Sequence, residues 1–285
     1  MRVISQKPQV PSFEAVFEPR RRGLSPTIRY LSQTEVHVYA LAIGASVLLS
    51  FFPFLIVMMS LIRDVFHLPG AEKALISALQ GYFPPDMGAE ILKNLTKVTH
   101  RRFQLTSVLL LLFTANGIFE PLEVALNRAW GVRQNRSYLK NQVLSLFMLL
   151  LCGGLALGSI LLTAANKQPA WLSFPVYRIA AVPVTMLSLF LIYWLLPNRR
   201  VPVLRVIPVA AVVGIGMEAL KYLFLREWTW LNQRFQNEYG ETFRYSVCLI
   251  IFTMISAFLV LAGAEWSARK SARERYNVTE RSDGN

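Results

Sequence analysis

The sequence FQLTSVLLLLFTANGIFEPLEVALNRAWGVRQ, residues 103–134, decides how the rest of the chain is interpreted. Its first half, residues 103–119, is an uncharged run long enough to cover most of a bilayer core as a helix. In its second half, helical periodicity places four polar side chains on a narrow stripe opposite a broad apolar face: Asn116, Glu120, Glu123 and Asn127. A carboxylate that faces lipid is costly, so we expect this stripe to face water or the interior of a helix bundle.

Pro121 lies in the middle of the stripe and has no N–H, so the carbonyl of Gly117 loses its helical partner. We therefore expect a kink near the membrane edge. The stretch as a whole predicts a kinked polar seam that faces a cavity in a helical membrane bundle.

Hydrophobic residues make up 54% of the 285-residue chain, which is too high a share for an ordinary soluble domain. Six apolar stretches are long enough to cross a membrane as helices: residues 38–62, 103–119, 141–166, 179–197, 206–225 and 245–264. The expected fold class is therefore all-α, a polytopic membrane protein with six transmembrane helices. We expect a cytoplasmic tail over residues 1–36, a membrane domain over 37–266 and a second cytoplasmic tail over 267–285.

The forty-residue interval between the first two spans contains two amphipathic pieces on either side of Pro84 and Pro85. The apolar side chains that recur at helical spacing are Leu75, Ile76 and Leu79 in the first piece and Ile91, Leu92, Leu95 and Val98 in the second. We expect an amphipathic helical hairpin on the outer surface, and we interpret it as a membrane-surface cover in preference to a gating lid.

The chain has 30 Lys and Arg against 17 Asp and Glu, a formal net charge of +13. Lys and Arg are more frequent in the two tails and the alternate loops between them than in the other three loops, which places both termini in the cytoplasm. Residues 1–37 show no signal-peptide pattern, so we expect the first span to be retained. We therefore attribute most of the basic charge to topology and to contact with membrane lipids, and we expect no nucleic-acid partner.

Two further carboxylates lie in the apolar spans. Glu218 and Lys221 share one helical face of the fifth span, and Glu218 lies about 20 Å from its cytoplasmic end at 1.5 Å per residue. Mutual neutralisation and a role in a pathway are equally compatible with this spacing. Glu265 ends the sixth span. The candidate polar pathway is Asn116, Glu120, Glu123, Asn127, Glu218, Lys221 and Glu265.

Three arginines at the cytoplasmic side are candidates for contact with a lipid headgroup or an anionic substrate: Arg128, Arg199 and Arg200. Arg199 and Arg200 are also possible ion-pair partners of Glu120, Glu123 or Glu265. Gly154 and Gly158 form a G-x-x-x-G spacing that allows close helix approach. We interpret it first as packing within the chain and second as a contact for a homo-oligomer.

The motifs of several enzyme classes are missing from the sequence. It contains no Walker A loop, no HExxH and no GxSxG, and Cys152 and Cys248 lie inside spans. We therefore expect no enzyme activity, no cofactor and no metal site, and the basic charge alone is weak support for a ribonuclease.

Several short segments resemble the YihY/BrkB family of bacterial inner-membrane proteins. They are LLSFFP at 48–53, LNRAWGV at 126–132, LPNRRVP at 196–202, the Glu218-x-x-Lys221 pair, Tyr239-Gly240 and GAE at 263–265. The resemblance covers about residues 38–266 and implies a six-helix bundle in the inner membrane. Members were once labelled ribonuclease BN, an assignment regarded as mistaken, and some have been tied to serum resistance or lipid export. This chain departs from the family pattern at Ala45-Ser46 and at residues 240–244, GETFR.

The predicted function is a transporter that does not use ATP, or a translocator of lipids or small molecules. The alternative is a membrane scaffold or assembly partner without transport. The first interpretation requires that the carboxylates within the spans face a shared hydrated interior.

Overall fold

The structure, a computed structural model, describes residues 25–67, 69–99, 105–132, 136–165 and 176–283. Within these ranges the regular elements are helical and there is no strand. The α-helices are α1 (Ser25–Leu31), α2 (Thr34–Ser60), α3 (Pro69–Tyr82), α4 (Pro85–Thr99), α5 (Leu105–Ala129), α6 (Tyr138–Ala165), α7 (Val176–Leu195), α8 (Val203–Arg226) and α9 (Trp228–Asp283). A π-helical turn, Leu61–Val65, continues α2. Gly240 interrupts α9 with a φ of 74°, so residues 228–239 and 241–283 are separate helical segments.

Five helical segments are long and apolar enough to cross a membrane: Thr34–Val65, Val108–Ala129, Tyr138–Ser159, Val203–Arg226 and Phe243–Arg269. The fourth predicted span corresponds to a shorter apolar helix, Val182–Leu195. The predicted all-α polytopic class is confirmed. α5 runs through Pro121 from Leu105 to Ala129, and the kink expected there stays a prediction.

The six long helices form a closed ring. α2 packs against α5 and α9, and the remaining contacts follow chain order from α5 to α6, α7, α8 and α9. α5 also contacts α9, so α2, α5 and α9 all touch one another on one side of the ring. Neighbours in sequence are therefore neighbours in space, as short connections require.

The ring has two distinct ends. At the end that we call the termini end, α1 packs against α9 and α2, and the loop 196–202 joins α7 to α8. Tyr30 of α1 is buried there. Part of the segment assigned to the N-terminal tail is thus a helix docked on the bundle, whereas residues 1–24 lie outside the described residues. α9 continues as a helix through most of the expected C-terminal tail, with Ser267 and Ala268 buried.

The predicted hairpin of α3 and α4 forms the other end, the hairpin end. The buried side chains on its apolar side are Leu75, Leu79, Met87, Ile91 and Leu95. They belong to one cluster with Met58 and Ile62 of the first span. The apolar side of the hairpin therefore packs on the bundle, and its place on the outer surface stays a prediction.

The glycine of α6 that makes a close contact within the chain is not one of the two predicted from the G-x-x-x-G spacing. A Cβ added at Gly153 would lie 3.1 Å from the ring of Phe54, so this glycine is in close contact with α2. A Cβ added at Gly154 or Gly158 would meet no heavy atom of the described residues within 4 Å. Among the described residues, the close contact of α6 within the chain is therefore made by neighbouring Gly153 and not by Gly154 or Gly158.

Candidate functional site

The predicted seam on α5 is divided into two separate groups. Asn116 donates from Nδ2 to Oε2 of Glu120 over 2.8 Å, and Ser145 of α6 donates to Oδ1 of Asn116 over 3.3 Å. Asn116 and Glu120 are half-buried. This group lies between α5 and α6 and has polar partners on both helices.

The second group is buried. Glu123 is 1% exposed and forms an ion pair with Arg136, with 3.0 Å between Oε1 and Nη1. Asn127 donates from Nδ2 to the same carboxylate oxygen over 3.3 Å, and its Oδ1 accepts from the backbone N–H of Asn198 over 2.6 Å. Arg136 also donates to the carbonyls of Leu196 and Pro197, at 2.6 and 3.3 Å. We call Glu123, Asn127, Arg136 and residues 196–198 the α5 latch, because they join α5 to the α7–α8 loop.

Local sequence explains why the latch forms at this position. Gly131 has a φ of 68°, and the backbone N–H groups of Gly131 and Val132 bond back to Arg128 and Asn127, which is a glycine cap at the end of α5. The carbonyl of buried Trp130 accepts from Nη1 of Arg199 over 3.3 Å. The LNRAWGV and LPNRRVP segments are therefore packing partners at the termini end.

Glu265 belongs to a different network at the same end. It is 2% exposed, and Arg269 donates to its Oε1 from Nε over 2.9 Å and from Nη2 over 2.7 Å. Thr27 of α1 donates to Oε2 over 2.9 Å. Burial, and then the nearby Glu265, raise the pKa of Tyr30 to about 12. We call Thr27, Tyr30, Glu265 and Arg269 the α1 clamp, because they fix α1 to α9.

The buried carboxylates pair with arginines that were not among the candidates. Arg136 pairs with Glu123, and Arg269 pairs with Glu265. The alternative that Arg199 or Arg200 pairs with Glu120, Glu123 or Glu265 is therefore not found among the described residues. Arg200 is exposed, and Arg128 forms an exposed ion pair with Glu35 that links α5 to α2. A role of Arg128, Arg199 and Arg200 in headgroup contact stays a prediction.

Glu218 and Lys221 form an ion pair on α8 towards the hairpin end. Nζ of Lys221 also lies 4.5 Å from the ring centre of Tyr82, the last residue of α3, and Tyr82 is hydrogen-bonded to Thr185 of α7. Burial, and then Glu218, raise the pKa of the Tyr82 hydroxyl, whereas its hydrogen bond with Thr185 lowers it. We call Glu218, Lys221, Tyr82 and Thr185 the paired site.

The paired site is more accessible than the networks at the termini end. The side chains of Glu218 and Lys221 are 25% and 17% exposed, against the 1% and 2% of Glu123 and Glu265. The seven candidate pathway residues are therefore not gathered in one place, and their role in a pathway stays a prediction. Among the described residues there is no group of three His, Cys, Asp or Glu side chains that would hold a metal ion.

Sequence reasoning missed six side chains of the α5 latch, the α1 clamp and the paired site: Thr27, Tyr30, Tyr82, Arg136, Thr185 and Arg269. Arg269 follows Glu265 by four residues, a helical spacing that predicts an ion pair. Arg136 and Tyr82 reach their partners from other elements, and no local spacing indicates those contacts.

The chain is similar to three curated proteins. One is a UPF0761 membrane protein of Acinetobacter baylyi, 25% identical over 210 residues, which are 69% of this chain and 50% of the relative. The putative ribonuclease-like protein YfkH of Bacillus subtilis is 24% identical over 249 residues, 80% of this chain and 87% of that protein. A UPF0761 membrane protein of a Psychrobacter species is 22% identical over 200 residues, 65% of this chain and 37% of the relative.

The chain thus spans half of the Acinetobacter protein and less of the Psychrobacter protein. No solved structure matches it. The sequence model of the family described as virulence factor BrkB matches residues 27–284, which include most of α1, the hairpin and all six long helices. This integral membrane protein therefore belongs to the virulence factor BrkB family.

Proposed function

We propose that the protein translocates lipids or small amphipathic molecules across the bacterial inner membrane without ATP, and that it is not an enzyme. The observation that carries this proposal is the paired site. Glu218 and Lys221 lie in a membrane-spanning helix, yet about a fifth of each side chain stays accessible. Charged groups within a span are costly and mark polar routes more often than lipid-facing surface.

The position of the paired site supports access from the hairpin end. Glu218 precedes Arg226, the last residue of α8, by eight positions, or about 12 Å along the helix. Tyr82 and Thr185 add hydroxyl groups from α3 and α7 to the same site. A polar part of a substrate that reached this depth would therefore find a cation, a carboxylate and two hydroxyls from three helices.

The termini end supports a gate that is closed in this conformation. The α5 latch joins α5 to the α7–α8 loop, and the α1 clamp fixes α1 to α9, with the carboxylates of both nearly excluded from solvent. Transport by alternating access requires one end to close while the other admits substrate. We propose that the latch opens in the second state of this cycle, and that both termini lie in the cytoplasm, in line with the distribution of Lys and Arg.

Replacing the charges of the paired site is expected to slow translocation by about tenfold or more, because a hydrogen bond to a charged group contributes about 1.5–3 kcal/mol. The variants are Glu218→Gln and Lys221→Gln, in purified protein reconstituted in vesicles that contain a fluorescent phospholipid. Dithionite, which bleaches only the outer leaflet, reports the rate of lipid exchange. The matched control is Glu227→Gln, an exposed carboxylate at the same end, and it should keep the wild-type rate.

Equal rates in all four proteins would exclude the paired site from the mechanism. An inactive wild-type protein would contradict lipid translocation itself, and the same variants would then be tested with fluorescent small molecules.

A membrane scaffold is the second candidate, and the outward position of Gly154 and Gly158 favours it. No heavy atom of the described residues would contact a Cβ at either position, so these glycines are open to a partner helix. A second copy of the chain in contact there would appear as a dimer in native mass spectrometry, and Gly154→Leu would abolish it. Monomers in both proteins would argue against this candidate.

A further inference from the structure

Arg244 is a buried cation at the hairpin end of α9. It follows the turn at Gly240 and lies at the start of the membrane-spanning segment Phe243–Arg269. The residue is only 8% exposed. The guanidinium group therefore lies at the boundary of a membrane-spanning segment and is enclosed by the protein.

The guanidinium group of Arg244 is incompletely satisfied. Nη2 donates to the hydroxyl of Tyr245 over 2.9 Å, and the guanidinium carbon lies 4.7 Å from the centre of the Tyr245 ring. Nε and Nη1 are buried and have no hydrogen-bond partner among the described residues. A buried charge without a partner is destabilising, and contact with an aromatic ring offsets only part of that cost.

Arg244 forms no ion pair with the carboxylates that neutralise other buried arginines. Arg136 and Arg269 are paired with Glu123 and Glu265, whereas Arg244 has no carboxylate within ion-pair distance in the described part of the chain. Three acidic residues precede it near the turn. Glu227 and Glu238 form ion pairs with Arg226 and Arg234, and Glu241 is exposed and forms no ion pair with Arg244. The positive charge of Arg244 is therefore not neutralised by these groups.

A second unsatisfied donor shares the Tyr245 side chain. The ring of Trp228 stacks on that of Tyr245 with 6.2 Å between centroids, and its buried Nε1–H has no partner among the described residues. One turn later, the side-chain oxygen of Asn232 is also buried and unpaired, and rotating this amide by 180° would present its NH₂ group. Arg244 and Trp228, which both contact the ring of Tyr245, thus hold three buried N–H donor atoms that have no partner in the described part of the chain.

We propose that Arg244 and Trp228 bind a phosphate-bearing anion, either a phospholipid headgroup or free phosphate. The planar guanidinium group matches the geometry of phosphate oxygens, and Nε and Nη1 are adjacent donors that can bind two of these oxygens together. An indole N–H has no acceptor capacity and adds a further donor. This Arg244 site uses none of the residues of the paired site, so it does not depend on the proposed translocation.

The test measures binding of dioleoylphosphatidylglycerol, dioleoylphosphatidylcholine and inorganic phosphate to the detergent-purified full-length chain, from the shift in thermal unfolding temperature with ligand concentration. We expect Arg244→Gln to bind its preferred ligand about tenfold more weakly, because a charge-assisted hydrogen bond is lost. Trp228→Phe keeps the ring stacking and removes the donor, so a smaller loss is expected. Arg234→Gln, an exposed arginine at the same end, is the matched control and should bind like wild type.

Stabilisation by the phosphatidylglycerol alone assigns the site to an anionic headgroup. Stabilisation by both phospholipids assigns it to the phosphodiester group, and stabilisation by inorganic phosphate alone assigns it to a soluble anion. The proposal is overturned if none of these ligands stabilises wild type, if Arg244→Gln and Trp228→Phe both bind as wild type does, or if Arg234→Gln weakens binding as much as Arg244→Gln.

Discussion

Arg136→Met is expected to destabilise the bundle by about 3–5 kcal/mol, because it leaves the buried carboxylate of Glu123 without its ion-pair partner. The variant also removes the donors to the carbonyls of Leu196 and Pro197 in the α7–α8 loop. Reversible unfolding in mixed micelles, followed by circular dichroism, measures the change in the free energy of unfolding. The control is Arg128→Met, whose ion pair with Glu35 is exposed and should contribute about 1 kcal/mol or less.

A double variant distinguishes the effect of losing the Glu123–Arg136 ion pair on the free energy of unfolding from the effect of losing the packing of the arginine side chain. In Glu123→Gln with Arg136→Met no buried charge remains, so we expect it to recover a large part of the stability lost in Arg136→Met. If Arg136→Met unfolds with the same free energy as wild type, Glu123 is solvated in solution and the termini end is not sealed by the α5 latch.

Gly263→Ala is expected to destabilise the protein by about 1–3 kcal/mol through overpacking. A Cβ at this position of α9 would collide with the hydroxyl of Tyr193 and lie 2.6 Å from Cγ2 of Val213. Tyr193 is buried, and its hydroxyl donates to the carbonyl of Val260 over 2.8 Å, so it cannot move aside without losing that bond. The clash therefore acts on the contact of α7, α8 and α9.

Gly154→Ala is the matched control, since Gly154 also lies in a membrane-spanning helix but a Cβ there would meet no described atom within 4 Å. It should be neutral or stabilising by up to about 1 kcal/mol, the difference in helix propensity between the two residues. Thermal unfolding of both variants in the same detergent measures the contrast. Equal effects at the two positions would mean that the tight contact at Gly263 does not exist.

The lengths of the apolar stretches in the sequence were sufficient to predict the spans. The hairpin could be predicted from the helical spacing of its apolar side chains, Leu75, Leu79, Ile91 and Leu95. Hydrophobic periodicity indicates which face of a helix avoids water, and in a membrane bundle such a face contacts either lipid or another helix. Periodicity does not report which element covers a face. It therefore did not indicate that the apolar side of the hairpin packs on the bundle.

The same limit explains the polar seam. A helical projection correctly placed Glu120 and Glu123 on one side of α5. Although they are only one turn apart, Glu120 is half-buried and lies towards α6, whereas Glu123 is buried in the α5 latch. The partners of Glu123 come from residues 136 and 196–198, which local spacing cannot identify. The expectation of one hydrated interior shared by all the carboxylates does not hold for Glu123 and Glu265, since each is enclosed in its own ion-pair network.

Access of water to the paired site and to the buried contact between α5 and α6 is the most direct test of the proposed route. In a chain with Cys152→Ala and Cys248→Ala, single cysteines are introduced by Thr185→Cys at the paired site and by Ser145→Cys, which is fully buried between α5 and α6. A membrane-impermeant methanethiosulfonate reagent is then added to one side of sealed vesicles at a time. We expect Thr185→Cys to react from the side of the hairpin end and Ser145→Cys to react from neither side. Protection of both cysteines, or reaction of both, would contradict the proposed route.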